Sequence, residues 1–369
     1  MSNIMNLSEQ FKFFDVVYFN YINLSNDGQF AIIIKDYINE PDHGEQFEYL
    51  TLNFILFDLN NYKKYNLSSK IISQTKKITL NDTSNTKTLF SPNNKFLIAS
   101  IIFQNKVYIL VYKIKKIFSD TKKINFVRPD NIITYDIRDH NNLHNSFTCD
   151  NLLVTDDNKT IISNCKDDKN IYHFDILTGI KNKIITNCYS IKKIILTNSS
   201  GSDFITYTFN KQIQVWKKYK LVNVIVYDEI NRSTFDVDIH YYNDDLFIKT
   251  DTTMVRYNLT TQTTIIKLKL NICKGNIKFV HNLRSQFLFF NFTNNKFYFW
   301  DYEFDTLETY DLNINFKSDF TQNIVYKFLP LQNKIYCFFR NLVGDNEKNI
   351  LHIKTFDLHN KYFNLPFNC

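Results

Sequence analysis

The stretch DKNIYHFDILTG, residues 168–179, decides how this chain is read. From Asp168, an Ile follows at three, an aromatic at six, Asp at seven, Thr at ten and Gly at eleven. Apolar and aromatic residues over 171–174 read as a strand, and the Asp, Thr and Gly after them as the tight turn that reverses it.

Working outward, the same ending recurs. A β-like run closes on an aromatic followed by a polar residue at Phe57-Asp58, Tyr112-Lys113, Phe174-Asp175, Trp216-Lys217, Tyr257-Asn258, Trp300-Asp301 and Phe356-Asp357. The spacings are 55, 62, 42, 41, 43 and 56, so the middle units keep the period of about 40–45 residues typical of a four-stranded propeller blade. A second series gives the same count: turn-like clusters precede an apolar strand in LSNDGQFAII (from Leu24), FSPNNKFLIAS (Phe90), VTDDNKTIIS (Val154), TNSSGSDFITYT (Thr197), YYNDDLFIKT (Tyr241), VHNLRSQFLFF (Val280) and PLQNKIYCFF (Pro330). Asn93 and Asn94 stand where Asp-Gly would be usual, and Asn tolerates the left-handed backbone of a tight turn. A third series, Asp168, Asn210, Asp251 and Asn294, stands at the start of each third strand, where short polar side chains can bond turn backbone but where plain turn residues are the simpler reading. Helical periodicity is nearly absent; the stretch to test is 114–125, whose Lys pairs fit a solvated ribbon equally well.

These motifs resemble WD repeats. The aromatic-Asp pairs, of which Trp300-Asp301 is the literal Trp-Asp, match the end of a blade's third strand, and FSPNNKFLIAS is similar to the turn between first and second strands. The resemblance covers roughly residues 11–367. The Gly-His that opens a family repeat is absent, so His240, His281 and His352 read as incidental strand residues. With its Asn- and Lys-rich composition the chain is similar to WD-repeat proteins of giant DNA viruses of amoebae. Some of those join a propeller to a BTB domain, for which the residues before 14 are too few.

The expected fold is therefore all-β: one seven-bladed β-propeller of four-stranded antiparallel blades over 1–369, with blades at about 11–73, 85–127, 148–187, 189–227, 234–270, 275–313 and 319–367. Doubly apolar runs such as FLIASIIF (96–103) and FLFFNF (287–292) suit strands covered on both faces, and the more polar KFYFWDYEF (296–304) and TTQTTIIKLKL (260–270) suit outer strands. Either 362–367 or 3–13 can complete the last blade, and a six-bladed ring with an N-terminal sheet is the competing count.

Composition supports a folded chain. Apolar residues make up 44% and aromatics 16%, enough for a large core. Asn supplies about one residue in eight, and Lys outnumbers Arg 38 to 6, a bias that follows from an AT-rich genome and lowers the weight of the +7 net charge as a sign of an anionic partner. The six Cys include no CxxC pair, no apolar run is long enough to span a bilayer, and the N-terminus lacks signal-peptide order, so a soluble protein of a reducing compartment is expected: the cytoplasm, or for a virus the host cytoplasm or virus factory.

Six glycines exclude the Gly-rich phosphate and dinucleotide loops, and GxSxG is absent. Cys149 with His140, His144, Asp136 and Asp139 is the nearest approach to a metal set, and an exposed polar loop is the simpler reading. The basic stretch 112–128 interleaves Lys with aromatics, as nucleic-acid binders do, but also as a solvated blade edge does. No catalytic, cofactor or metal residue is assigned. The expected function is a non-catalytic protein-interaction scaffold, set against a basic propeller binding nucleic acid or chromatin and an enzyme or lectin-like binder using the central channel. Three apparent insertions, 36–48, 118–146 and 340–349, are expected as loops on one face forming the partner surface, with Tyr37, Glu40, Asp42, Glu45, Lys122, Lys123, Phe126, Arg128, Tyr135 and Arg340 as its contact residues.

Overall fold

A computed structural model describes residues 22–41, 48–59, 63–72, 87–103, 106–120, 129–136, 151–165, 170–185, 191–226, 237–250, 253–269, 277–283, 286–291, 296–301, 306–311, 325–329, 334–343 and 348–357. These residues are almost all β, in seven antiparallel sheets. Sheet one holds β1 (Ile22–Leu24), β2 (Phe30–Pro41), β3 (Glu48–Asp58) and β4 (Lys63–Ile72). Sheet two holds β5 (Lys87–Phe90), β6 (Phe96–Phe103), β7 (Lys106–Lys113) and, after the helix α1 (Ile114–Asp120), β8 (Asn131–Asp136). Sheet three holds β9 (Asn151–Val154), β10 (Thr160–Asn164), β11 (Ile171–Asp175) and β12 (Lys181–Ile185). Sheet four holds β13 (Ile191–Leu196), β14 (Phe204–Thr208), β15 (Gln212–Lys217) and β16 (Lys220–Val226). Sheet five holds β17 (Asp238–Tyr242), β18 (Asp245–Lys249), β19 (Thr253–Asn258) and β20 (Thr263–Lys269). Sheet six holds β21 (Ile277–Leu283), β22 (Gln286–Asn291), β23 (Lys296–Asp301) and β24 (Thr306–Asp311). Sheet seven has three described strands, β25 (Val325–Leu329), β26 (Lys334–Val343) and β27 (Lys348–Asp357). Every sheet is a meander whose strands bond in chain order.

Sheets one to five stack face to face in chain order. In β6 the side chains alternate: Leu97, Ala99 and Ile101 pack with Phe30, Ile32 and Leu56 of sheet one, while Ile98 and Ile102 pack with Leu152, Val154, Ile161 and Phe174 of sheet three. That double cover is why FLIASIIF has no polar face. The same layering joins sheet three to four through Ile162, Ile171, Phe204 and Trp216, and sheet four to five through Ile205, Ile213, Ile239 and Val255. Each such aliphatic side chain contributes about 1.5–3 kcal/mol on burial. First strands of neighbouring sheets approach one another, β1 to β5, β5 to β9, β9 to β13 and β21 to β25.

The aromatic series lies in these layers: Phe57, Tyr112, Phe174, Trp216, Tyr257 and Trp300 are all buried. The polar residue that follows has its own task. Asp175 Oδ1 accepts from Leu177 N at 3.0 Å, Thr178 N at 2.7 Å and Thr178 Oγ1 at 2.9 Å, and Asn258 Oδ1 accepts from Thr260 N, Thr261 N and Thr261 Oγ1 at 3.0, 2.8 and 3.1 Å. In sheets three and five the pair thus encodes one buried anchor and one cap for the turn into the fourth strand.

Turns between first and second strands repeat a different pattern. Ser25, Ser91 and Thr155 donate to Asp27, Asn93 and Asp157 two residues on, at 2.6, 2.8 and 2.6 Å, and accept the backbone N–H of Phe30, Phe96 and Thr160. The next residue, Gly28, Asn94 or Asn158, has φ of 69°, 55° or 60°. Asn94 therefore stands in for glycine in the left-handed conformation, as its residue type implies. These turns also bond one another: Asn94 Oδ1 accepts from Asn26 N at 2.9 Å, Asn158 Oδ1 from Asn93 N at 3.0 Å, and Ser199 O from Asp157 N at 3.2 Å. Of the third sequence series, the described member follows the simpler reading. Asn210 is an exposed turn residue, and the turn backbone is bonded instead by Thr208, whose Oγ1 accepts from Gln212 N at 3.1 Å; Asp168, Asp251 and Asn294 lie outside the described residues.

One helix replaces part of the expected ribbon. Ile114 and Ile117, three residues apart, lie on one face of α1 and are buried in the layer between sheets one and two. A seven-residue helix has little stability alone, so this packing holds it. Lys116 pairs with Asp130 at 3.3 Å, and Asp130 Oδ2 accepts from Lys113 N at 2.8 Å, tying both ends of the excursion.

Candidate binding surfaces

Two of the three apparent insertions are strands. β2 and β3 pair without interruption from Phe30↔Asp58 to Pro41↔Glu48, with one irregularity between Ile34 and Asp36. Tyr37 and Glu40 lie in β2, opposite Leu52 and Tyr49. β26 and β27 likewise pair out to Val343↔Lys348, and Arg340 lies in β26 opposite Leu351. The acidic and polar residues suggest a loop locally, but cross-strand partners such as Ile38↔Thr51 and Asn39↔Leu50 complete a ladder that local composition does not reveal. Both extensions are long hairpins between second and third strands.

The third insertion divides. Its residues 131–136 form β8, so the connection before β8 runs between third and fourth strands and not between sheets. In a meander that connection emerges with the first-to-second turns, at the end opposite the β2–β3 hairpin, and the three segments do not share one face. Tyr135 is not a surface anchor: it is buried, its OH is 2.7 Å from Ser163 Oγ, and its ring lies 4.3 Å from Tyr172 and 5.6 Å from Phe174. Alternation along β8 points Tyr135 and Ile133 inward and leaves Ile132, Thr134 and Asp136 exposed. Asp42, Glu45, Lys122, Lys123, Phe126 and Arg128 lie outside the described residues. Of the basic stretch, Tyr112 is core, Lys116 is ion-paired, and 121–128 lies outside them.

A polar cluster missed by sequence reading joins the first strands of sheets four and five. Lys193 of β13 donates to Asp238 Oδ1 at 2.6 Å and to Ile239 O at 2.7 Å, and Asp238 Oδ2 lies 3.1 Å from His240 Nε2. Burial works to raise the Asp238 carboxyl, but the hydrogen bonds and charges of His240 and Lys193 outweigh it and hold the carboxyl far below its ordinary range. Burial pushes His240 down, opposed by Asp238. His240 is therefore a bonded member of a link between sheets, not an incidental strand residue; the alternation of polar residues at 238 and 240 within an apolar stretch was its signal. His281 and His352 stand in β21 and β27. A second pair, Arg256 Nε to Asp245 Oδ2 at 2.6 Å, with Asn258 Nδ2 at 2.7 Å from Oδ1, braces sheet five internally.

Among the described residues no group of three or more His, Cys, Asp or Glu is placed to hold a metal ion. Asp136 is paired with Lys106 at 3.6 Å, while Cys149, His140, His144 and Asp139 lie outside the described residues. No helix among the described residues is long and apolar enough to cross a membrane. Neither models of known protein families nor curated proteins match the chain.

Proposed function

We propose that the chain is a seven-bladed β-propeller of the WD-repeat kind that serves as a non-catalytic protein-interaction scaffold. The seven consecutive meanders, the face-to-face layers between sheets one to five and the adjacency of first strands support the radial reading. In it sheet seven meets sheet one; 3–13 and 362–367, the two candidates for the last blade's fourth strand, lie outside the described residues.

The observation that carries the scaffold reading is the pair of overlong hairpins. β2 and β3 run twelve and eleven residues and β26 and β27 ten each, against five or six in β10, β11, β14 and β15. Both hairpins join second to third strands, so a closed ring sets them side by side on one rim, and Tyr37, Glu40 and Arg340 become the residues of one partner surface. Length beyond the sheet's own need is where binding concentrates.

The test replaces 36–53 and 340–351 by two-residue turns, separately, and compares proteins co-purified from native cells with those held by the unaltered chain. Loss of a shared set of partners from both variants, with unchanged melting temperature, is expected. Retention of all partners, or binding that consists only of salt-sensitive nucleic acid, overturns the proposal.

A further inference from the structure

The hairpin between β15 and β16 turns on Lys218 and Tyr219, which lie between the paired Lys217 and Lys220. Both have left-handed backbone, with φ of 48° and 64°. A turn of this kind is ordinarily built from Asn, Asp and Gly, and the β17–β18 turn follows that preference with Asn243 and Asp244 at 47° and 63°. Lys and the bulky Tyr are strained in this conformation, so their surroundings must hold them. Two tethers come from the neighbouring turn of the same sheet: Lys218 N donates to Asp203 Oδ1 at 2.8 Å, and Tyr219 N to Ser202 O at 2.9 Å.

A third hold reaches across to sheet three. Tyr219 packs on the cluster of Ile162, Ile171, Ile185, Phe204 and Trp216 that joins the two sheets. Its ring receives the Lys183 ammonium at 4.4 Å and lies edge-on to His173 at 5.3 Å. His173 is buried, and among the described residues neither of its ring nitrogens has a hydrogen-bond partner. Opposite it stand Lys183 on β12 and Ile162 on β10, while the acid of the facing turns, Asp203, is engaged by Lys218 N. Among the described residues the charge that acts on His173 is that of Lys183, and it opposes a proton. A protonated His173 is thus a second cation against a ring that already holds one, enclosed and with no carboxylate to balance it.

We propose that the Lys218-Tyr219 turn is an acid-released clasp: when His173 takes a proton, Tyr219 leaves the seam between sheets three and four and the turn relaxes, with the ladders of both sheets intact. A free imidazole takes its proton near pH 6.5, and the enclosed one resists until about 4. The clasp is therefore closed above pH 6.5, and opening binds a proton and becomes more favourable as pH falls from 6.5 to 4. Opening also returns Lys218 and Tyr219 to ordinary backbone, so this corner yields before the sheets do.

The chain has two tryptophans; Trp216 belongs to the cluster that Tyr219 covers, and Trp300 is fully enclosed in sheet six. Acrylamide quenching of their emission between pH 7.5 and 4, followed beside far-UV circular dichroism, reads the clasp. The quenchable share is expected to at least double over that range while the β signal is unchanged, and the rise to be absent from Trp216→Phe and from His173→Phe. Tyr219→Ala is expected to be quenched at pH 7.5 as strongly as the unaltered chain at pH 4, with no further rise. A rise that survives in His173→Phe or Trp216→Phe, one that comes only together with loss of the β signal, or emission that stays shielded throughout overturns the proposal. If His173→Phe does not fold, Tyr219→Ala decides, and quenching at pH 7.5 no greater than that of the unaltered chain overturns it.

Discussion

His173 lies between sheets three and four, 2% exposed, its ring edge-on to Tyr219 at 5.3 Å, and neither ring nitrogen has a hydrogen-bond partner among the described residues. Burial, reinforced by the charge of Lys183, lowers its pKa from 6.5 to about 4. A buried imidazole must be neutral to remain folded, whereas the unfolded chain binds the proton from pH 6.5 downward. Its contribution to stability is thus complete above about pH 6.5 and lost as pH falls through 4. The shift of about 2.5 units corresponds to roughly 3 kcal/mol. His173→Phe should remove most of that loss, so denaturant midpoints at pH 7.5 and 4.5 should differ less in the variant than in the unaltered chain; equal differences refute the assignment. The repeat aromatics are a second residue-scale case. Trp216 donates through Nε1 to Thr206 Oγ1 at 3.1 Å and stacks on Phe204 at 5.5 Å, and Trp300 is fully enclosed. Trp216→Ala and Trp300→Ala should each cost about 3–5 kcal/mol, read from melting curves.

Turns are the elements that decide whether sheets meet. Gly179, φ 71°, ends the β11–β12 turn against sheet two, where an added Cβ would come within 2.7 Å of Asn131 Nδ2 and 3.1 Å of Ile133 Cγ1. Gly179→Ala therefore meets both a left-handed backbone and a neighbouring strand, and about 1–3 kcal/mol of destabilisation by chemical denaturation is expected. The chain's few glycines leave this role elsewhere to Gln262, φ 57°, and Asn158. The first-to-second turns were legible in the sequence because a polar cluster before an apolar run, with Asn94 in place of glycine, is a local pattern with a local cause. The aromatic series was legible for the same reason. What escaped reading depended on partners distant in the chain. The β2–β3 extension needs pairing of Tyr37 with Leu52, Tyr135 sits in the segment 118–146 that reads as a loop until β8 pairs with β7, and the Lys193–Asp238 link spans two sheets. Of the ten residues chosen as a binding surface, Tyr37, Glu40 and Arg340 keep a place on the extended hairpins, and Tyr135 moves to the core.

At the scale of the molecule, sheets one to six are each complete as a four-stranded ladder yet incomplete as a folded body. The face of sheet four that carries Ile205, Tyr207, Ile213, Val215 and Ile225 is covered by Val237, Ile239, Leu246 and Val255 of sheet five, residues that come later in the chain. A chain ending at residue 226 keeps every hydrogen bond within its four sheets and still leaves that face bare, so it should aggregate, whereas the whole chain stays dispersed; light scattering of the two after refolding separates these outcomes. The same feature governs synthesis. Whenever a ribosome pauses after one of these sheets, the emerging protein ends in an oily wall awaiting its next layer. Nascent chains of this kind need either rapid elongation or a chaperone at the exit tunnel, and a premature stop codon in the covered run of sheets yields a sticky fragment instead of a smaller working version of the protein.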